Sequence, residues 1–419
     1  MGLRSSFTGS ALLISLLALG CGSSSSASSS SSEGGHSSTS SGHSTSTGAG
    51  SGGDASSSTG DATSSNGSGA ATSGTGGSGA GTTTGSGGSG AAATQSEGLY
   101  FPAGAVYYQD VSGSNATVAS DSDAITQWMV GKSGPDGWGT GTFRVDFSIV
   151  AVDVPEGTAK RTYSTVADFN AMPDCDTAPI PVPQGGAVEG DASSTVFTSQ
   201  FSGYQCGGFD DGDDCHMLFV SRSEKRLYEV YHGTIDGQGQ FQVGCLALWD
   251  LSKVYDKNGR GQQCTSADAA GLPMAPLLFT AEEIKAGVIN HAIRFILPNN
   301  MIRAKKYVSP ATHGTNTSGP DTAPPYGARF RLKAGYDLSQ LSPAAQVVAK
   351  ALQKYGMIHA DGGNIALTAQ SDVLSTVKWA DVGFDSQSLV GLKATDFEVL
   401  DAGTPYDVTY DCQRTVITQ

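Results

Sequence analysis

The sequence predicts a mainly β fold, an antiparallel β-sandwich or jelly-roll-like domain carrying a few short helices. Three observations lead there. Apolar runs of strand length recur between Gly/Asp-rich turns through the middle of the chain. In 143–149, Phe143, Val145, Phe147 and Ile149 alternate with Arg144, Asp146 and Ser148, the period of a half-buried strand. Helical spacing is sustained over only one long stretch, 342–355.

Taken in order, 122–130 (SDAITQWMV) fits one or two helical turns and 132–142 a Gly-rich loop. The strand 143–149 ends at the turn Val154-Pro155-Glu156-Gly157. Segment 164–172 (STVADFNAM) fits a short helix, and 179–194 is rich in Pro and Gly and irregular. Segments 217–221 and 226–232 form a hairpin, and Asp236-Gly237-Gln238-Gly239 turns the chain into a strand over 241–249. Thr280 caps a helix over 281–287, with Glu282 and Glu283 in its first turn. Strands follow at 291–297 (HAIRFIL) and at 329–333, where Phe330 and Leu332 lie between cationic neighbours. Between them, 308–326 holds four prolines and two glycines, a surface loop.

The signals over 342–364 agree with one another. Ser342 is an N-cap and Pro343 suits the first helical position. Ala344, Val347, Val348, Ala351, Leu352 and Tyr355 form one apolar face, and Gly356 suits the position after the last turn. The helix packs on a sheet and feeds a polar turn, 359–364 (HADGGN).

The folding part of the chain is bounded by composition. Residues 22–98 are almost only Ser, Gly, Thr and Ala, with no aromatic residue and four acids, so they cannot bury apolar surface. The 76 residues from Gly22 to Glu97 form a flexible tether with a root-mean-square span of roughly 45–50 Å. That leaves 99–419 as one β-rich domain. Setting aside Arg4 and the four tether acids takes the 24 basic residues to 23 and the 39 acidic ones to 35, a balance of −12. Such a surface repels nucleic acid and anionic lipid, both of which need cations.

Residues 1–20 are expected to be an export signal: Arg4 is the positive flank, and 11–19 (ALLISLLAL) an apolar core too short to span a bilayer. The run ends in Leu17-Ala18-Leu19-Gly20-Cys21, which resembles the bacterial lipoprotein lipobox. The resemblance implies lipid attachment at Cys21 and, with Gly22 next, sorting to the outer membrane; Ala18 replaces the commoner larger aliphatic residue. Further blocks, among them TSADAAGLP (265–273), NHAIRFILP (290–298), GARFRLKAGYDLS (327–339) and LQKYGMIHADGGN (352–364), are similar to a family of exported bacterial proteins. This second resemblance implies export and a common fold; it carries no activity and no catalytic residue.

Besides Cys21 there are six cysteines: Cys175, Cys206, Cys215, Cys245, Cys264 and Cys412. An even number in an exported chain implies disulfides. No spacing suits a structural zinc site. The sequence-near pairs 206–215 and 245–264 are expected.

Candidate chemistry centres on carboxylates. Glu229 with Asp268 or Asp214 would supply an acid/base pair for glycoside hydrolysis, and the competing reading makes them turn or partnered acids. Tyr228, Tyr231 and Trp249 are expected sugar-stacking platforms, with His291, His313, Arg329 and Asp361 as further binding residues. His291 and His313 are the best-placed pair for a metal or proton shuttle, though no zinc motif surrounds them. Asp210, Asp211, Asp213 and Asp214 form an oxygen-rich turn that suits calcium, without the spacing of an EF-hand. No cofactor is required. The expected function is a glycan-active enzyme on the cell surface; the alternative is a non-catalytic glycan-binding or structural module.

Replacing Cys21 by Ser is expected to release the full-length protein from membranes. A variant that still sediments with the membrane fraction excludes the lipid anchor.

Overall fold

The computed structural model describes residues 92–167, 170–190 and 200–418. The expected leader, Cys21 and all but the end of the tether lie outside them. In chain order the strands are β1 (Thr94–Gln95), β2 (Val145–Ile149), β3 (Ala151–Asp153), β4 (Lys160–Arg161), β5 (Ser164–Thr165), β6 (Ile180–Pro181), β7 (Met217–Ser221) and β8 (Arg226–Ile235). They continue as β9 (Phe241–Asp250), β10 (Ile293–Leu297), β11 (Lys306–Tyr307), β12 (Arg329–Leu332), β13 (Met357–Gly362), β14 (Leu367–Gln370), β15 (Phe397–Val399) and β16 (Tyr406–Asp407). The helices are α1 (Ser122–Lys132), α2 (Ala281–Ala286) and α3 (Pro343–Lys354).

Two six-stranded sheets carry the fold, in the orders β1-β3-β7-β8-β9-β5 and β15-β12-β13-β10-β14-β2. The fold is mainly β with few helices, but its sheets are mixed. β3 pairs with β7, β5 with β9, β10 with β13 and β14 with β2 in parallel. A parallel pair needs a long crossover, and the one from β10 to β13 contains β12 and α3. Neither sheet closes into a barrel; the first ends in the two-residue strands β1 and β5.

The first sheet is buried on both faces. Leu227, Tyr231, Ala247 and Trp249 join the main core together with Ile293, Phe295, Phe330 and Ile358 of the second sheet. On its other face Tyr228, Val230, Leu246 and Leu248 pack with Ile180, Val182 and Tyr204. Burial on both sides accounts for the near-continuous apolar runs of β8 and β9. Their hairpin and the one before it are antiparallel, as expected.

Local signals hold where they are strongest. The Ser342 hydroxyl accepts from Ala345 N at 3.2 Å, Pro343 opens α3, and Gly356 takes φ +70°. Thr280 and Glu283 close a capping box on α2. Two expectations fail against long-range pairing. Ser164–Thr165 pairs with Gln242 and Val243 as a sheet edge instead of forming a helix. The expected polar turn at 359–364 is strand as far as Gly362, because β13 stays paired to β10 through a bulge at Phe295/Ile296. The sheet also takes in Thr94–Gln95, upstream of the boundary expected at 99.

Cys206–Cys215 forms as expected, but Cys245–Cys264 does not; Cys245 bonds Cys175 and Cys264 bonds Cys412. The cause is the bridge between Asp176 and Leu246, which sets Cys175 against Cys245. Asp176, fully buried, also accepts from Arg260 and Arg414, each at 2.7 Å, and from Leu248 N and Ile417 N. It thereby brings the C-terminal segment beside the 260–264 turn.

Removing both Cys264 and Cys412 (to Ser) should lower stability by about 2–5 kcal/mol, read as a shift in the urea midpoint. Proteolysis should then begin in 408–418. An unchanged midpoint would show that the Asp176 ion pairs alone hold the segment.

Candidate functional site

The site grows from one charge in an apolar strand. Arg294 stands between Ile293 and Phe295 on β10 and is only 4% exposed. A buried guanidinium requires carboxylate partners. Asp268 supplies a two-point clamp, with Nε to Oδ2 at 3.0 Å and Nη2 to Oδ1 at 3.1 Å. Nη2 also donates to Asp361 Oδ2 at 3.0 Å, and Nη1 reaches Thr368 Oγ1 at 3.5 Å. Two acids around one base cannot both be neutralised. Burial, with the negative charge of Asp268, pushes the Asp361 carboxyl up to about 8, against the opposing pull of Arg294.

A second group adjoins the first. His216 Nδ1 is in a very short contact with Glu189 Oε2, and its Nε2 meets Ala267 O at 2.9 Å. Donation to a carbonyl requires a proton on Nε2. Burial disfavours the imidazolium, but the Glu189 carboxylate overcomes that and raises His216 to about 10. Glu189 also accepts from His216 N at 3.1 Å. The Ser148 hydroxyl lies 2.8 Å from Asp146 Oδ2 and 3.2 Å from Glu189 Oε1, and its one proton serves one of the two at a time. Burial and the charge of Glu189 raise the Asp146 carboxyl.

Asp214 completes the group: its carboxylate, Glu189 and His216 have ligand atoms within 4.8 Å of one another. Glu189 and Asp214 are only half-buried, so the cluster opens to solvent on their side. Both His216 nitrogens already face oxygens, which leaves no lone pair for a metal. What remains is a polar cluster in which Asp146, Glu189, Asp214 and Asp361 gather around Arg294 and His216, partly exposed only at Asp146, Glu189 and Asp214.

The structure divides the expected site residues. Asp214 and Asp361 belong to the cluster; Asp268 lies behind it, fully buried and engaged by Arg294. Glu229 is fully buried and accepts from Trp249 Nε1 (2.8 Å), Met274 N (2.7 Å) and Ala275 N (2.9 Å). Burial holds its carboxyl up near 7, and these three bonds fix it as an internal anchor. Tyr228, Tyr231 and Trp249 lie inside the two cores, so none presents a face for a sugar. His291 bonds Glu283 and Ala292 O, while His313 bonds Ala269 O, and among the described residues no candidate metal group contains either. Arg329 lies on β12, at a cleft outside the cluster. Asp210 and Asp213 are exposed and outside the Glu189–Asp214–His216 group; the side chain of Asp211 lies outside the described residues.

Sequence reasoning missed Asp146, Glu189 and Arg294. For Arg294 a signal existed: a lone cation within HAIRFIL needs buried acids, and Asp268 and Asp361 lie in the neighbouring blocks. Glu189 had none, since its loop has no periodicity. No protein-family model, curated protein or solved structure matches the chain.

The two raised groups act in the same direction on stability. His216 stays protonated in the fold up to about 10, against 6.5 ordinarily, and Asp361 up to about 8, against 3.8. Their contributions are complete below the ordinary values and are lost as pH rises through the folded ones. The melting temperature should therefore fall from about pH 4 to 8 as Asp361 loses its proton and from 6.5 to 10 as His216 does. A His216→Gln variant should start lower and show a flatter alkaline arm; an equally steep arm would mean that another group controls it.

Proposed function

We propose that this chain is a lipid-anchored protein of the bacterial outer envelope whose β-rich domain hydrolyses glycan at the Asp361–Asp214 cluster. The observation that carries the hydrolytic reading is the convergence of Asp146, Glu189, Asp214 and Asp361 around Arg294 and His216, with Glu189 and Asp214 half-exposed. Glycoside hydrolysis needs one carboxyl that keeps its proton and one that has lost it. Asp361, crowded by Asp268, suits the donor: its proton passes to the glycosidic oxygen as the C–O bond breaks. Arg294 orients it. Asp214 is the second carboxylate: it takes a proton from the water whose oxygen bonds the anomeric carbon as the leaving group departs.

The apolar run before Cys21 and the long tether support the anchor. Three disulfides support an oxidising compartment. The alternative, a non-catalytic glycan-binding or structural module, is favoured by the complete engagement of Glu229 and Asp268 in the interior.

The test is a polysaccharide panel assayed for both reducing-end release and retention. With a cleaved substrate in hand, Asp361→Asn and Asp214→Asn should each lower the rate by about 100-fold or more. Glu229→Gln should lower thermal stability first. Release that survives both aspartate substitutions overturns the assignment, and retention without release from any polysaccharide favours the module.

A further inference from the structure

A cleft of about 630 Å³ lies where the loop after residue 105 meets β12 and the 400–402 segment. Its wall includes Arg329, which is 7% exposed. The other deeply buried arginines have carboxylates: Arg294 meets Asp268 and Asp361, and Arg260 and Arg414 share Asp176. Arg329 differs. Its Nε donates to Tyr355 O at 2.8 Å, Nη1 to Val106 O at 3.3 Å and Nη2 to Gln109 O at 3.1 Å. No ion pair joins it among the described residues. A guanidinium has five N–H bonds, so two remain beyond these three.

Burying a cation without a counter-charge is costly. Desolvation alone brings Arg329 down to about 10, with no acid near enough to oppose it. The cost is removed when a bound anion supplies the charge. The rest of the cleft suits such a ligand. Lys257, exposed on the rim, has no ion pair among the described residues, and the Ser309 hydroxyl has no hydrogen bond there. Two exposed acids also line the cleft and keep their charge, Asp110 accepting from Ser112 N and Oγ (2.9 and 2.6 Å) and Asp401 from Gly403 N (2.8 Å), so an anion needs both Arg329 and Lys257 to be held. The volume falls in the usual range for small-molecule sites.

We propose that this cleft binds a small oxyanion, a carboxylate or sulfate group, between the two remaining N–H bonds of Arg329 and the Lys257 ammonium. Paired charged hydrogen bonds to guanidinium are among the stronger polar contacts. The site is independent of the Asp361 cluster and of the glycan reading.

Calorimetric titration of the full-length protein at low ionic strength tests this, with D-glucuronate and sodium sulfate as probes and D-glucose as the uncharged control. At least one anion should bind and glucose should not. Lys257→Ala should weaken binding three- to tenfold, and Arg329→Gln by more than tenfold. Tighter binding of glucuronate assigns the cleft to a carboxylated sugar or acid, and tighter binding of sulfate to an inorganic anion; each supports the proposal. Binding of neither anion, or equal binding of glucose, overturns it. If Arg329→Gln does not fold, Lys257→Ala decides: affinity equal to wild type also overturns the site.

Discussion

The fold depends on the pairing of Arg294 with Asp268. A guanidinium inside β10 is unstable unless a carboxylate comes to it, and Asp268 arrives on a segment with almost no regular structure. That segment lies between the two sheets and binds both. Toward the second sheet, Ala270 N donates to Ala360 O at 2.9 Å. Toward the first, His216 reaches Ala267 O, and Glu229 accepts from the backbone of Met274 and Ala275. Ser266 Oγ closes the segment on itself through Leu272 O at 2.6 Å. The polar groups that occupy the inter-sheet space thus also fix how the sheets meet. Substituting one of them perturbs architecture and cluster together, so a lost activity alone does not separate the two roles.

A similar logic operates at the C-terminal segment. Beyond β16 the chain has no strand or helix, so its backbone cannot be held by a ladder. Asp176 and the bond from Cys412 to Cys264 hold it instead. One carboxylate accepting from two arginines and two backbone amides satisfies a buried charge completely, the condition under which such a group stabilises.

How much of this was legible in the sequence follows from the range of each interaction. The caps of α3 and α2, the β7–β8 turn and the Cys206–Cys215 bond involve residues near in sequence, and local chemistry specified them. The parallel pairs did not show, because alternation says which face is buried and nothing about strand direction. Residues 164–165 carried a helical pattern, yet the open edge of β9 captured them as a strand. The aromatic residues of β8 and β9 suggested a sugar surface because their covers come from afar: Tyr231 and Trp249 are buried in the core shared with the second sheet, and Tyr228 under 178–188 and 204, which have no periodicity. In the cluster, the acids were visible one at a time. Their meeting depends on the β10–β13 ladder and on Glu189 in an irregular loop.

The short outer strands of the first sheet limit how two copies of this domain can join. A sheet edge offers unpaired amides and carbonyls to any neighbouring copy. Here β1 and β5 present two residues each. Two copies meeting edge to edge would gain only a two-residue ladder, too little to offset the entropy of association. Copies brought close together would therefore stay unjoined along these edges.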